Sequence, residues 1–487
     1  MNNLLSVSAF TVLQAVCSTG IALAIGIAAA FFTANRRFRG KKFLLSLSSV
    51  PFCVPALLVA LGFVSFFGIS GTVNLVFKSL LGDRAVQFRF LYSFLGIVIV
   101  QGFYNFPLVM KTVHDTWGSL SQEQAEAARL LGASEARIFR TITIFQLIPS
   151  IVSSCMLVFL YCFFSFLLIL LFGGVGCTTL EVEIYKSARA TLDFSQAARL
   201  AAAETTLACL FVALYSLLEQ KSSKTRGIAF FRQNSLPKIS GNFERLASVF
   251  VFSLILLFFI APLFSICYNA FSSAREIFTF STLQKVLKMR GFLPSLATTV
   301  LIALVTSFLS TLVAFFYSVF LRTVDSNGRI LILRILPMVP MAISSVVTGV
   351  LIIMLVRRGT IIHLILAQVF LTWPLAFRQI FASVSKIQQE TIDAARILSK
   401  RKLDLIFRIY APQSVRGILS AAGFCFAVSA GDTTLPLVLA LPKFTNLSLF
   451  TYRLAGAYRF HEACAAGLVL GAICMIVFAI TNRFKEK

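Results

Sequence analysis

Apolar residues in this chain gather into long, nearly unbroken runs, and the polar stretches between them are short and rich in Lys and Arg. A helix that crosses the hydrocarbon core of a bilayer needs about 20 apolar residues. By that rule spanning helices are predicted near 7–32, 43–68, 90–113, 150–172 and 196–218. Further ones are predicted near 246–270, 292–321, 330–356, 360–384, 414–440 and 460–481, about eleven in all. The first run, Val7 to Phe32, lacks the charged opening of a signal peptide and is long enough to span, so it reads as a permanent helix.

Lys and Arg in the short loops set the orientation. The loop after the first helix carries Arg36, Arg37, Arg39, Lys41 and Lys42, which puts it in the cytoplasm. Counting onward, the segments 114–149, 219–245, 322–329, 385–413 and the C-terminal tail fall on the same side. Two of these are strongly basic: 219–245 holds Lys221, Lys224, Arg226, Arg232, Lys238 and Arg245, and 385–413 holds Lys386, Arg396, Lys400, Arg401, Lys402 and Arg408. Helix count and charge agree.

Composition supports the same class. Of 487 residues 58% are hydrophobic and only 13% charged, about half the charged fraction of a soluble domain. The net charge of +25 reads as the positive-inside bias of a multi-spanning protein. No basic run sits beside stacking aromatics on a polar segment, which argues against a nucleic-acid partner. The ten Cys form no CxxC pair, and the three His are scattered, so neither a disulfide framework nor a metal site is suggested. Small residues four apart, Ala22, Gly26 and Ala30 near the start and Gly467 and Gly471 near the end, suit close helix approach in lipid.

The chain also repeats itself. QGFYNFPLVMKTV (101–113) followed by EQAEAARLLGASEARIFR (123–140) parallels QVFLTWPLAFRQI (368–380) followed by QETIDAARILSKRKLDLIFR (389–408). Gln101 pairs with Gln368, Pro107 with Pro374, and Ala127-Ala128-Arg129 with Ala394-Ala395-Arg396, at a constant separation of 267 residues (394 less 127). After one inserted residue, Ile138-Phe139-Arg140 pairs with Ile406-Phe407-Arg408. The preceding helix in each copy opens with two prolines, Pro51 and Pro55, then Pro337 and Pro340. The second copy starts six predicted helices after the first, and an even number preserves orientation, so the repeats are parallel. The expected organisation is a first repeat over 1–218 with five helices, a basic cytoplasmic linker over 219–245, and a second repeat over 246–487 with six.

EAARLLG (126–132) resembles the loop signature of the permease subunits of binding-protein-dependent ABC importers, and DAARILS (393–399) is a degenerate copy of it. The family's later Leu-Pro stands as Ala411-Pro412 in the second half, whereas Ile144 takes the place of the Pro in the first. The resemblance covers nearly the whole chain and implies a polytopic all-α integral membrane bundle of two parallel repeats, in the type I ABC importer permease fold. It also implies that Glu126, Ala127, Ala128 and Gly132, with Asp393, Ala394, Ala395 and Ser399, lie on coupling helices that dock on an ATP-hydrolysing subunit. Two adjacent alanines permit close packing, Gly132 can end its helix in a left-handed conformation, and Glu126 complements the helix dipole. The sequence has no GxxxxGK[ST] stretch, so ATP and Mg belong to the partner and no cofactor to this chain. Two copies of the ATPase, an extracytoplasmic solute-binding protein and membrane lipid are the implied partners, in the bacterial inner membrane. The resemblance implies a transport subunit, with no enzymatic chemistry of its own.

Within that family, fused permeases of this size are most similar to the thiamine and iron(III) groups. GGVGCTTLEVEIY (173–185), DFSQAARLA (193–201) and SAGD (429–432) with Tyr452, Gly456 and Tyr458-Arg459 look thiamine-like. The extra N-terminal helix usual in that group is not seen. The cargo implied is thiamine or its phosphates, with iron(III) as the alternative. Asp432 and Glu204, ionisable groups inside predicted spans, are candidate pathway residues. For Asp432 the competing reading is a cap at a helix break; for Glu204, pairing with a neighbouring Arg or backbone group. Glu181 and Glu183 lie in a predicted outer loop, either solvated or facing the binding protein. A rival of another class, an ion-coupled secondary transporter, would have only Asp432 and Glu204 as midplane carboxylates. A membrane-embedded enzyme would need clustered His, Asp or Ser, which the sequence does not show.

Overall fold

The computed structural model describes residues 2–82, 87, 89–120, 123–174, 177–223, 237–272, 279–324, 333, 336–356, 358–398 and 401–486. Ten helices among them are long and apolar enough to cross a membrane, and the pair Leu336–Ala342 and Ser345–Val356, bent by 90°, brings the number to eleven if it is one span. The described residues contain no β-strand, only an isolated bridge between Arg37 and Lys238.

In chain order the elements used below are α1 (Asn2–Asn35), α2 (Ala56–Phe67), α3 (Thr72–Leu81), α4 (Phe94–Gly118) and α5 (Glu123–Leu130). Then come α6 (Ile144–Phe163), α7 (Leu180–Arg189), α8 (Phe194–Ser223), α9 (Asn242–Ile255) and α10 (Ala261–Ala270). The remainder are α11 (Phe292–Val324), α12 (Ser345–Val356), α13 (Ile361–Val384), α14 (Gln389–Leu398), α15 (Ala411–Gly431), α16 (Thr434–Leu439), α17 (Leu447–Gly456) and α18 (Phe460–Glu486).

The chain groups into two compact units. One comprises Met1–Pro51, Gly62–Glu183 and Arg199–Ser265; the other comprises Phe52–Leu61, Ile184–Ala198 and Ile266–Lys487. The units therefore exchange short segments relative to the repeat boundary in the sequence.

In the first unit α1 lies against α4 through small residues. A Cβ on Gly26 would fall 2.6 Å from that of Val109, and one on Gly102 would fall 2.6 Å from Ile21 Cγ2. Such an approach needs glycine on both helices, and Ala22 and Ala30 are fully buried beside it. In the second unit Gly467 and Gly471 face Leu58, which would lie 3.2 and 2.9 Å from an added Cβ. There α11, α13 and α15 enclose a core of Phe315, Val319, Phe377, Ile380, Tyr410 and Cys425. Buried hydroxyls cross-link these helices: Ser310 and Thr372 share a 2.8 Å hydrogen bond, and Ser307 donates to the Ala422 carbonyl at 2.7 Å.

Besides the bent pair within 330–356, three predicted spans are interrupted where hydropathy alone reads them as continuous. The helix expected over 150–172 ends at Phe163 and resumes at Leu167–Phe172, and that over 414–440 ends at Gly431 and resumes as α16. The run 43–68 becomes short helical turns before α2, because a proline has no N–H to give and restricts the residue before it. A window of apolar residues averages over such breaks; only side-chain chemistry at the break reveals them.

Candidate functional site

The first signature loop folds as a helix, a tight turn and a second helix. Glu123 and Glu126 stand in the first turn of α5 and Arg129 in the last, each favourable to the helix dipole. Past its end Gly132 takes φ +81°, its N–H donates to the Arg129 carbonyl at 2.9 Å, and the Ala133 N–H donates to the Ala128 carbonyl at 3.0 Å. This is a Schellman stop, in which the left-handed residue satisfies carbonyls the helix leaves open. Ser134 then caps Glu135–Ile138, accepting from the Arg137 N–H at 3.4 Å. A forked ion pair straps the turn: Arg129 Nε and Nη2 donate to the two Glu135 oxygens at 2.6 and 3.2 Å. The hydrogen bond from Arg129 holds the Glu135 carboxyl below its usual range. Gln146 Nε2 donates to Gln124 Oε1 at 2.7 Å and ties α5 to α6.

No residue of α5 is buried. Ala127, Leu130 and Leu131 lie at helical spacing i, i+3, i+4 on one exposed face, with Leu130 90% and Leu131 88% accessible. Two leucines this bare form a small exposed apolar patch at the tip of a polar loop.

The second loop is built alike. In α14 Ala394, Ile397 and Leu398 repeat the exposed stripe, the last two 85% and 88% accessible. Asp393 and Ala395 match Glu126 and Ala128 in exposure, half-buried at the alanine and open at the acid. The inward face differs: Ile392 is buried in the core beside Ile387, Val384 and Tyr410. Asp393 accepts from Gln389 Nε2 at 3.1 Å and from Arg396 Nη1 at 3.3 Å, an anchor within the helix rather than across the turn. Ser399 lies outside the described residues. After each loop the backbone passes through a five-residue π-helical stretch, Phe139–Thr143 and Ile406–Tyr410, before the long helix begins. These stretches start 267 residues apart (406 less 139), like the alanine pairs.

Of the two carboxylates singled out in the spans, Asp432 sits at the break after α15. Its Oδ1 accepts from the Thr434 and Leu435 N–H groups at 3.0 and 3.3 Å, and its Oδ2 accepts from Gln368 Nε2 at 3.1 Å. The side chain thus starts α16, as an aspartate does at a helix N-terminus. Gln368 also receives Ser429 Oγ at 2.7 Å and Thr306 Oγ1 at 3.1 Å on its carbonyl oxygen. Its repeat partner Gln101 is equally buried, 1% accessible, yet neither end of its amide has a partner among the described residues. Glu204 is buried on α8 in the first unit. Glu181 is fully buried, so it is no solvated loop charge, while Glu183 accepts from Thr178 Oγ1 at 2.8 Å.

Sequence reasoning passed over the exposed apolar doublets, because Leu130, Leu131, Ile397 and Leu398 read as ordinary helix formers. It also passed over Leu192 and named Tyr458 only within a thiamine-like segment; the two hold left-handed backbone at φ 56° and 58° and are 64% and 85% accessible. Each stands two residues before the last helix of its repeat, α8 or α18. The signal that finds all six is position relative to the repeat.

The family model for the binding-protein-dependent transport system inner membrane component matches residues 22–224 and again 329–485. The chain belongs to that family. It is a multi-pass component of the inner membrane, a transport subunit that works with an ATPase and a solute-binding protein. The thiamine transport system permease protein of Brucella abortus (strain 2308) is 26% identical over 98% of this chain and 87% of its own length. The protein of that name from Haemophilus influenzae is 26% identical over 97% and 87%, and that from Escherichia coli K12 is 23% identical over 92% and 83%.

Proposed function

We propose that this permease carries thiamine or its phosphates inward, receiving the cargo from an extracytoplasmic binding protein and drawing energy from two copies of an ATPase subunit. The observation that carries the cargo assignment is alignment over nearly the whole chain with proteins named as thiamine permeases, which favours thiamine over iron(III). The stripe Ala127, Leu130, Leu131 fills a groove on one ATPase subunit, and Ala394, Ile397, Leu398 fills the same groove on the other. Each leucine or isoleucine covered there contributes about 1.5–3 kcal/mol of docking energy. ATP and Mg stay on the ATPase; closure of its two copies draws the two helices together and switches the permease between inward-open and outward-open states. The α5 turn, held by Gly132 and the Arg129–Glu135 fork, passes that push to α6; α14 passes it to the core through Ile392. On the opposite side the tips at Leu192 and Tyr458 receive the binding protein. A bulky residue held in strained backbone and fully presented to solvent is a feature of binding surfaces.

The test is uptake of labelled thiamine into proteoliposomes holding this chain, the ATPase and the loaded binding protein. The proposal expects uptake that needs ATP and all three components. Thiamine uptake driven by an ion gradient without the ATPase would overturn it.

A further inference from the structure

The second unit carries two adjoining clefts along α13. One, of about 660 Å³, opens between the end of α13 and the start of α15 and is edged by the exposed Arg378, Lys386 and Arg416. The buried Ile387, Gly417 and Ser420 also line it. The helices touch there: a Cβ on Gly417 would fall 2.2 Å from Ser383 Oγ. Ser420 Oγ donates to Gln379 Oε1 at 3.2 Å, which leaves the Gln379 amide NH2 to donate elsewhere. No carboxylate lines this cleft, and none of its three cations has an ion-pair partner among the described residues. The other cleft, of about 260 Å³, is walled by Leu321, Met338, Phe377 and Phe381. Arg378 and Ala382 belong to both.

The duplication separates this arrangement from the ordinary basic rim of a cytoplasmic loop. In the first copy Lys111 Nζ is paired with Asp115 Oδ1 at 2.9 Å. At the same register, 267 residues on, the second copy has Arg378 and Ala382, so the cation stays and its acid is gone. Lys386 stands where the first copy has Ser119, and Arg416, past the inserted residue, where it has Ile148. Two positive charges are gained and one negative charge is lost around a single cleft. Like charges on such a wall repel one another and focus their field on the space between, so an anion placed there relieves the repulsion. Arg378 lies six residues before the end of α13 (384 less 378), about 9 Å along the axis, and Arg416 five residues after the start of α15 (416 less 411). By the charge rule this is the cytoplasmic end of both helices, at headgroup depth.

We propose that the two clefts together hold one anionic phospholipid of the cytoplasmic leaflet, its phosphate among Arg378, Lys386 and Arg416 and an acyl chain against Leu321, Met338, Phe377 and Phe381. The guanidinium groups offer forked donors to phosphate oxygens, and the lysine adds a point charge. A basic pocket between spans on the cytoplasmic side suits an acidic headgroup. A soluble phosphate ester shares the headgroup chemistry, but it has no use for the apolar cleft that Arg378 and Ala382 join to the basic one. The site is independent of which cargo the permease carries.

The experiment is native mass spectrometry of the delipidated full chain, titrated with dioleoyl phosphatidylglycerol or dioleoyl phosphatidylcholine to give the first-lipid dissociation constant of each. Phosphatidylglycerol is expected to bind about a hundredfold more tightly, as three basic groups at about 1 kcal/mol each allow. Arg378→Gln, Lys386→Gln and Arg416→Gln are each expected to lower that ratio about fivefold and the triple variant to erase it, with phosphatidylcholine binding unchanged. Lys111→Gln, the matched change in the first copy, is expected to leave the ratio as it is. A ratio is insensitive to any misfolded fraction. Glycerol 3-phosphate and thiamine monophosphate in large excess are expected not to displace phosphatidylglycerol. Equal affinities for the two lipids in the parent chain, or a ratio preserved in the triple variant, would overturn the site. A ratio lowered as much by Lys111→Gln as by Arg378→Gln would assign the preference to general surface charge and overturn it too. Displacement by either soluble ester would mean that the cleft takes a free phosphate, which defeats the lipid assignment.

Discussion

Gly132 is the residue whose role is easiest to isolate. It sits at φ +81° with nothing within 4 Å of an added Cβ, so a substitution there meets only backbone strain. Gly132→Ala is expected to cost about 1 kcal/mol, seen as faster hydrogen exchange over 123–138 with an unchanged global melting temperature, and to lower uptake without abolishing it. Gln368 and Gln101 make a second comparison. Gln368→Leu strands Asp432, Ser429 and Thr306 and is expected to destabilise the detergent-solubilised protein by about 1–3 kcal/mol, whereas Gln101→Leu removes an amide with no partner among the described residues and changes it by less than about 1 kcal/mol. Equal melting shifts for the two would contradict the asymmetry. Sequence alone disclosed Gly132, because a glycine just past a helical run has one common use. It left Asp432 open between cargo path and cap, since a carboxylate inside an apolar run looks the same either way; the Thr434 and Leu435 N–H groups place it at a helix start.

Elements were legible where one physical rule governs them and hidden where two compete. Long apolar runs gave most spans with ends off by a few residues, because lipid thickness dictates their length, but those expected at 43–68, 150–172 and 414–440 lie 9 to 15 residues away, at 56–81, 135–163 and 403–431. The break at Phe163 was invisible to the same rule, since its flanking residues are as apolar as any span; the break at Gly431 is marked by Asp432, Thr433 and Thr434, which a hydropathy average absorbs. The signature helices were found by their alanines, but the apolar doublets beside them emerged only from accessibility. Replacing Leu130 and Leu131 together by Ser is expected to weaken ATPase binding by about a hundredfold or more, measured by co-purification across a concentration series, as about 1.5–3 kcal/mol per buried leucine requires. The Ile397, Leu398 pair should give the same loss, and a variant at either pair that still binds and couples fully would remove these faces from the account. At the opposite turns, Leu192→Gly and Tyr458→Gly relieve left-handed strain, so thermal stability should hold while affinity for the binding protein falls. Unchanged affinity, read by surface plasmon resonance, would make those tips structural only.

For the molecule as a whole, the duplication carries most of what the sequence discloses about function. It assigns two equivalent helices to one chain, the basis of the two ATPase copies proposed above. What the duplication cannot disclose is which helix packs with which: residues 52–61 and 184–198 belong to the second unit although their sequence lies in the first repeat. Helix neighbours in lipid are chosen by small residues such as Gly26, Gly102 and Gly467, and many such residues compete along an apolar chain. Parallel repeats remain the claim on which coupling depends, and sidedness tests it directly. Cysteines placed at Ala127 and Ala394 are reacted with a membrane-impermeant maleimide in right-side-out and inside-out vesicles, each signal taken above that of the parent chain. The account predicts labelling of both positions in inside-out vesicles and of neither in right-side-out ones. Labelling of the two positions from opposite faces would contradict it.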